Sequence, residues 1–440
     1  MNKKASENFS ILLESLKTVA RKFPDKRTGK NSVYSMEDIT LSAFSLFFLQ
    51  SPSFLKHQAL MQKKKGTNNA FSLFDIDKIP SDNHIRDTLD YVSEKNLDPI
   101  FRKAFDILDS NNIIEDYRFL DNQLLIAVDG TQVFSSKKIN CKKCFKTNHK
   151  EEDATFSHKV ITPVIVKPGK PQVISLEPEF ISPQDGSKKQ DHELKAVNRW
   201  INKYGKFYSE KQATLLGDDL YSNHPFCEKA LDAGFNFILT CKPSSHKIMY
   251  ETLDMADAVK DIKEYTYIRK KGNKKEFENY RYYNKILIRD GNDKLRVNWC
   301  EIIVKNKEGS VLYKNNFITN FVVTNENIPD IVEAGRARWK VENENNNTLK
   351  RGGYNLEHSF GHGKEHLANL FTTFNILAFL FHTVLDLCDY KYKKIRDCLK
   401  ARYTFFEHLR IIVNYVVFKN WEHMMSFIIK ELEIEVLDTS

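Results

Sequence analysis

The sequence predicts an α/β protein in which a mixed-sheet core carries a β-rich insertion and is flanked by helical regions. Apolar residues recur at helical spacing in residues 1–120 and again in residues 367–440. Between residues 121 and 243, β-rich runs precede a helix, a strand, a helix and a strand, an order typical of mixed α/β folds. From 244 to 318, further β-rich runs are separated by Gly, Asn and Lys turns. Residues 319–366 are expected to complete the core with one more helix.

The composition excludes several classes of protein. The 440 residues are 41% hydrophobic and 28% charged, which is ample material for a core and excludes general disorder. The seven cysteines are an odd number spread over a long chain, so we do not expect a disulfide framework. We recognise no secretion signal at the start and expect a cytoplasmic protein without a membrane anchor. A formal net charge of +9 favours a polyanionic partner.

Two segments stand out by composition, one apolar and one basic. Residues 367–387 are apolar enough to suggest a membrane span, but Asn369, Asn375 and His382 within them favour a buried core helix. Residues 269–275 are mostly lysine and arginine around a Gly-Asn pair, which indicates a basic hairpin tip.

Three acidic residues stand where carboxylates could meet. Asp129 ends the apolar run LLIAVD and Asp218 ends a second run, ATLLGD, whereas Glu342 lies within the expected helix RARWKVENENNNTLK. Taken singly, they are explained as a hairpin turn, a helix N-cap or loop residue, and a surface glutamate. Taken together, they can converge at one edge of a mixed sheet, where mutual repulsion favours bound cations such as Mg²⁺. Two ions at such a site would support in-line phosphoryl transfer.

The expected helix around Glu342 offers further polar groups. Arg338 lies four residues before Glu342 and shares its face, which an ordinary salt bridge explains equally well. Glu344 should point about 200° away from Glu342 and is not expected to replace it. Trp339 could stack on a base, although a helical Trp is more often part of a core. Arg338 and Lys350 are candidates for contact with DNA phosphates.

The order VDGT, LLGDDLY, a β-rich stretch and RARWKVEN…LK resembles the DDE transposases of bacterial insertion sequences. The closest likeness is to the group with a Tyr-x₂-Arg-x₃-Glu-x₆-Lys signature and a β-strand insertion before the glutamate. By position, Asp129 and Asp218 match the two aspartates, because Tyr221 follows the second at the usual offset. Arg338 and Glu342 match the Arg-x₃-Glu part.

This resemblance implies an RNase H-like core in which Asp129, Asp218 and Glu342 bind two Mg²⁺ or Mn²⁺ ions and catalyse cut-and-paste DNA transposition. It also implies that the partners are terminal inverted repeats and target DNA, held by a homodimer in a synaptic complex, at the nucleoid in the bacterial cytoplasm. The chain would then comprise a DNA-binding helical region, a catalytic core in two parts, an insertion and a helical end, at residues 1–120, 121–243 with 319–366, 244–318 and 367–440.

The sequence departs from the family pattern at two positions. Gly335 stands where the signature tyrosine belongs, and Lys350 is one residue beyond the expected lysine. Glu357 is a reserve candidate for the third carboxylate. Two alternatives remain open: a catalytically inactive or domesticated DNA-binding relative, and a metal-dependent nuclease without strand transfer.

A separate signal is the motif Cys141-x₂-Cys144, with His149 and His158 downstream. Thiolates and imidazoles at such spacing can close a tetrahedral site, so a structural Zn²⁺ is a candidate cofactor here. The spacing is not that of a standard finger, and two ordinary free thiols in a Lys-rich loop are the alternative. Further histidines, four residues apart, are interpreted as loop residues that could touch DNA: His358, His362 and His366.

Overall fold

The computed structural model describes residues 7–28, 33–148, 153–183, 191–271, 274–289 and 295–435. The first of its units is helical, with α1 (Glu7–Ala20), α2 (Met36–Phe48), α3 (Phe54–Met61), α4 (Lys64–Phe74), α5 (Asp82–Leu89), a 3₁₀ turn (Glu94–Leu97), α6 (Asp98–Ser110) and α7 (Ile113–Asp116). Local sequence sets these boundaries, as at α5, where the Ser81 hydroxyl accepts a hydrogen bond from the His84 N–H and caps the helix.

The strands begin after α7 and alternate with helices. In chain order they are β1 (Leu124–Ala127), β2 (Gly130–Ser136), β3 (Phe145–Thr147), β4 (Thr155–Ile161), β5 (Val164–Val166), β6 (Ile174–Ser175), β7 (Glu179–Ile181), β8 (Ala213–Gly217), β9 (Asn236–Thr240), β10 (Lys263–Lys271), β11 (Lys274–Leu287), β12 (Arg296–Lys305) and β13 (Val311–Thr319). Between them lie α8 (Glu193–Ser209), α9 (His224–Asp232) and α10 (Lys247–Ala258).

The larger of the two sheets has the strand order β10-β11-β12-β13-β9-β8-β1-β5-β6. At its centre β1, β8 and β9 are parallel, whereas β5 and β13 pair antiparallel to them. Every residue of β1 and β8 is buried, as expected for parallel strands covered on both faces. The fold is therefore α/β with a mixed sheet. A second, four-stranded sheet contains β2, β4, β3 and β7.

The segment expected to be β-rich from residue 244 begins differently. Residues 247–258 form helix α10, so the expectation of strands at the start of this segment was wrong. The buried residues Met249, Leu253 and Ala256 recur at helical spacing, which is the signal for this helix. Strands β10 to β13 follow and join the central sheet through the pairing of β13 with β9.

The C-terminal unit packs back onto the N-terminal helices. It consists of α13 (Leu367–Cys388), α14 (Tyr390–Cys398), α15 (Arg402–Tyr415) and α16 (Trp421–Glu431), and α13 contacts α2 and α6. By length and composition α13 could cross a membrane, but 83% of its most apolar window is buried inside the protein. The prediction of a buried core helix is confirmed. Its polar residues are bonded: His382 contacts the Tyr392 hydroxyl at 2.8 Å and the Phe48 carbonyl oxygen at 2.9 Å.

The helix expected to carry the glutamate is divided into three pieces. These are α11 (Ile328–Arg336), a π-helical turn (Val341–Asn346) and α12 (Asn347–Arg351). On α11, Gly335 faces the central sheet. A Cβ at this position would lie 2.7 Å from Cε1 of Phe317 and 3.1 Å from Cγ2 of Ile238. The helix approaches the sheet so closely that the signature tyrosine has no room here.

Gly335→Ala is therefore expected to destabilise the protein, although alanine favours a helix. The added methyl group must displace the ring of Phe317, and we expect a net loss of about 1–2 kcal/mol in the free energy of unfolding. Urea denaturation measures this loss. Glu251→Ala, at an exposed position on α10, is the control and should change the value by less than about 0.5 kcal/mol. Equal stability of the two variants would contradict the tight contact.

Candidate active site

Two aspartates follow adjacent parallel strands. Strands β1 and β8 end next to each other, with Ala127 paired to Leu216. Asp129 follows the first strand and Asp218 the second, so both lie at the same edge of the central sheet. Because β1 and β2 belong to different sheets, the step from Asp129 to Gly130 is where the chain changes sheet and is not a hairpin turn.

Glu342 lies on the π-helical turn. Such turns have i→i+5 hydrogen bonds and are frequent at functional sites. Nη1 of Arg338 donates a hydrogen bond to Oε1 of Glu342 at 2.7 Å. The Arg338 side chain is 10% exposed and that of Glu342 is 43% exposed. A nearly buried cation therefore holds a carboxylate that solvent and ligands can reach.

Asn346, on the same turn, connects it to Asp129. Its Nδ2 donates to Oδ2 of Asp129 at 3.4 Å, and its Oδ1 accepts a hydrogen bond from the Thr162 hydroxyl at 2.8 Å. The backbone N–H of Thr162 donates to the carbonyl oxygen of Asp129 at 3.1 Å. Asn345 adds a bond from its Nδ2 to Oδ1 of Asn346 at 3.0 Å. These buried amides fix the π-helical turn against the end of β1.

A fourth carboxylate, which the sequence did not reveal, belongs to Glu193 at the start of α8. Its Oε1 accepts hydrogen bonds from the Gly130 N–H at 3.1 Å and from the Tyr221 hydroxyl at 2.6 Å. A Cβ on residue 130 would lie 2.5 Å from Oε2 of Glu193, so a larger residue after Asp129 would displace the Glu193 carboxylate. An acidic residue in the first turn of a helix is ordinarily explained by the helix dipole, and no other sequence pattern distinguishes Glu193.

The surroundings raise the pKa of Asp129 to about 7. Burial is the largest cause, and repulsion by Glu193, Glu342 and Asp218 adds to it. Arg338 acts in the opposite direction. Asp129 therefore lies within electrostatic reach of all three other carboxylates. A bound divalent cation would relieve this repulsion.

The donor chemistry suits Mg²⁺ or Mn²⁺, which take carboxylate oxygens and retain water ligands. Among the described residues, the ligand atoms that lie close enough to share one metal ion belong to a cluster of cysteines and histidines. The carboxylates of the candidate active site lie further apart than that. The residues fit a divalent cation by the chemistry of their oxygen donors.

The other predicted DNA-contacting residues differ in accessibility. Trp339 is 51% exposed and is therefore not a core residue. Nζ of Lys350 lies 3.3 Å from Oε1 of Glu357. Glu357, the reserve carboxylate, is thus engaged in a salt bridge with Lys350.

The predicted cysteine–histidine set coincides in part with a cluster in the structure. Cys141, Cys144 and His158 converge, and their fourth neighbour is His362. His149 lies outside the described residues. His362 is 218 residues from Cys144 along the chain, which is why local spacing did not identify it.

No protein-family model matches the chain, and no curated protein matches it. One solved structure that resembles it is the cryo-EM structure of a piggyBac transposase synaptic complex with hairpin DNA. The sequence identity is 11%, the TM-score is 0.42, and the alignment covers 98% of this chain and 82% of that chain. A TM-score this low does not establish a shared fold.

Proposed function

We propose that the protein is a DDE transposase that cleaves the ends of a bacterial insertion sequence and joins them to target DNA on an RNase H-like core. The position of Asp129 and Asp218 at one edge of the central sheet, with Glu342 in the electrostatic surroundings of Asp129, supports this proposal. The three residues come from distant segments, in the chain order of the motifs VDGT, LLGDDLY and RARWKVEN. Carboxylates so placed suit phosphoryl transfer on a nucleic acid.

Each side chain has a distinct part in this mechanism. Divalent cations at the carboxylates would activate the attacking water or 3′-hydroxyl and stabilise the leaving oxygen. Asp129 must lose its proton before it can act as a ligand. Arg338 holds the Glu342 carboxylate at the edge, and Asn346 holds that of Asp129. Glu193 fixes the strand end by its bond to the Gly130 N–H.

The proposed partners are terminal inverted repeats and target DNA, bound by a homodimer in the bacterial cytoplasm. The net charge of +9 supports a polyanionic partner. Trp339 supplies an exposed aromatic face three residues before Glu342, and Lys350 an amino group on α12. Strands β10 and β11 pair as far as Lys271 and Lys274, whereas residues 272–273, at the predicted basic tip, lie outside the described residues.

Incubation of the protein with DNA spanning the flanks of its gene, with Mg²⁺ or Mn²⁺, tests the proposal. We expect nicks at inverted repeats that bracket the gene, followed by joining of the 3′ ends to a target plasmid. DNA with a scrambled terminal sequence is the matched control. Binding without nicks would support the inactive relative instead, and nicks without joined products would support a nuclease.

Trp339→Ala is expected to weaken binding to the terminal DNA about tenfold. Loss of one base-stacking surface costs on the order of 1–2 kcal/mol, and stacking releases no counterions. The dependence of log Kd on log salt concentration should therefore keep its slope. Fluorescence anisotropy at several salt concentrations measures both quantities. Tyr403→Ala, an exposed aromatic residue on α15, is the control and should bind like the parent protein.

Lys350→Ala gives the contrasting result in the same assay. A lost phosphate contact should lower the magnitude of the salt slope by about 0.9. If Trp339→Ala changed the slope and Lys350→Ala did not, the assignment of stacking and phosphate contacts would be reversed.

A further inference from the structure

A cluster of two thiols and two imidazoles lies apart from the carboxylates. Its members are Cys141, Cys144, His158 and His362, whose ligand atoms all lie within 4.8 Å of one another. Sγ of Cys141 is 3.8 Å from Sγ of Cys144 and 3.4 Å from Nε2 of His158. Sγ of Cys144 is 3.4 Å from Nε2 of His362. The four atoms therefore surround a common point.

These distances match those of a tetrahedral zinc site. With Zn–S of about 2.3 Å and Zn–N of about 2.0–2.1 Å, neighbouring ligands lie about 3.8 Å apart for two sulfurs and about 3.6 Å apart for sulfur and nitrogen. A disulfide does not describe the pair, since its sulfurs would be about 2.05 Å apart. We propose that Cys141, Cys144, His158 and His362 bind one structural Zn²⁺.

The backbone around the cysteines presents both sulfurs to the same side. The Cys141 N–H donates to Sγ of Cys144 at 3.4 Å, and the Cys144 N–H donates to the Cys141 carbonyl oxygen at 3.1 Å. Cys144 directly precedes β3, which pairs with β4, the strand that carries His158. Three of the ligands are thus held by one small sheet and its turn before any ion binds.

The second nitrogen of His158 fixes the tautomer that a metal needs. Its Nδ1 lies 3.1 Å from Oδ1 of Asn369 on α13, and both side chains are buried. An amide oxygen only accepts hydrogen bonds, so Nδ1 carries the proton and Nε2 keeps its lone pair for the cluster. Such a second hydrogen bond is the usual support of a metal-bound histidine.

Four protein ligands complete the tetrahedron, which indicates a structural ion rather than a catalytic one. The site joins two parts of the chain that are far apart in sequence. His362 lies between α12 and α13, in the segment that follows Glu342, whereas the other ligands lie in or beside the small sheet that begins directly after Asp129. The zinc would fix these segments to each other. This proposal does not depend on the transposase activity.

Elemental analysis of the full chain, purified without chelator, tests the site directly. We expect about one zinc per chain, and at least about a tenfold lower content in Cys144→Ser and in His362→Ala. The matched controls are Cys398→Ser, an exposed thiol on α14, and His358→Ala, a neighbour in the same segment. Both controls should keep their zinc. A parent protein without zinc, or equal losses in variants and controls, would overturn the proposal.

Cobalt substitution provides a second measurement that does not rely on the variants folding. The parent protein, stripped of zinc and titrated with Co²⁺, should develop the visible bands of tetrahedral Co²⁺ and thiolate-to-metal charge transfer at one equivalent. The bands should vanish when Zn²⁺ is added. Octahedral spectra, or no charge transfer, would exclude a site with two thiolates.

Discussion

Asp129→Asn is expected to lower metal-dependent strand cleavage on the order of 10³-fold or more. Asparagine preserves the size of the side chain and can still contact Asn346, but it does not carry the charge that cations require. Single-turnover cleavage of terminal DNA measures the loss. Asp254→Asn, at an exposed position on α10, should cleave at the parental rate. Retained cleavage in Asp129→Asn would remove Asp129 from the mechanism.

The same substitution should stabilise the protein when no Mg²⁺ or Mn²⁺ is added. Burial and the neighbouring carboxylates raise the pKa of Asp129 from 3.8 to about 7, so the folded state binds the proton more tightly than the unfolded state. Between about pH 4 and pH 7 the parent protein therefore loses stability as pH rises, and the asparagine variant is spared this loss. Each pKa unit is worth about 1.4 kcal/mol, so we expect an advantage on the order of 4 kcal/mol at pH 8 and less than about 1 kcal/mol at pH 4.

Urea denaturation at pH 4 and pH 8, without added Mg²⁺ or Mn²⁺, measures this difference. Chelators are omitted because they would also remove a structural zinc. Added Mg²⁺ should shrink the difference at pH 8, since only the parent protein gains from binding it. A constant difference at all pH values would show that charge repulsion is not its cause.

Glu342→Gln is expected to lower cleavage by about 10²-fold or more, whereas Glu344→Gln should change it little. Glu342 is accessible and lies in the electrostatic surroundings of Asp129, while Glu344 lines a different cavity with Gln172 and His382. Both variants replace one glutamate with glutamine on the same π-helical turn. The comparison therefore separates a carboxylate requirement from a general effect on the turn.

A loss of folding stability should not account for the difference in cleavage between Glu342→Gln and Glu344→Gln. Glutamine keeps a side-chain oxygen that can accept the hydrogen bond from Arg338, so the nearly buried guanidinium retains a partner. If Glu342→Gln kept full activity, the third carboxylate would have to come from Glu193, which already lies beside Asp129. Glu193→Gln would then be the variant that loses cleavage.

The parts of the fold that local pattern determines could be predicted from the sequence. The apolar runs that became β1 and β8 are buried on both faces, and their length and composition identify them as core strands. The polar residues that end these runs then fall at one edge of the sheet, which places Asp129 and Asp218 together. The long apolar helix α13 was predicted to be a buried core helix because Asn369, Asn375 and His382 interrupt its apolar residues, and 83% of its most apolar window is buried.

The parts that depend on contacts between distant segments could not be predicted. Glu193 reaches Gly130 from 63 residues away, and its place at the start of α8 has an ordinary explanation. His362 joins the cysteines only through tertiary structure. The close packing of Gly335 against Phe317 likewise could not be predicted from the sequence alone. Helix α10 was missed for another reason. Its helical periodicity is present in the sequence, but the β-rich residues that follow it favoured strands for the whole segment.

The π-helical turn changes how the spacing of the glutamate and the lysine should be counted. An α-helix rotates by about 100° per residue, whereas one π-helical turn accommodates an additional residue with little change in direction afterwards. Residues after the π-helical turn therefore have the angular positions around the helix axis that a regular α-helix with one residue fewer would give them. Lys350 lies beyond Val341–Asn346 and takes the angular position that residue 349 would have in a regular helix. Counted in helical turns rather than residues, the extra position before Lys350 is absorbed, and the lysine keeps the phase expected relative to Glu342.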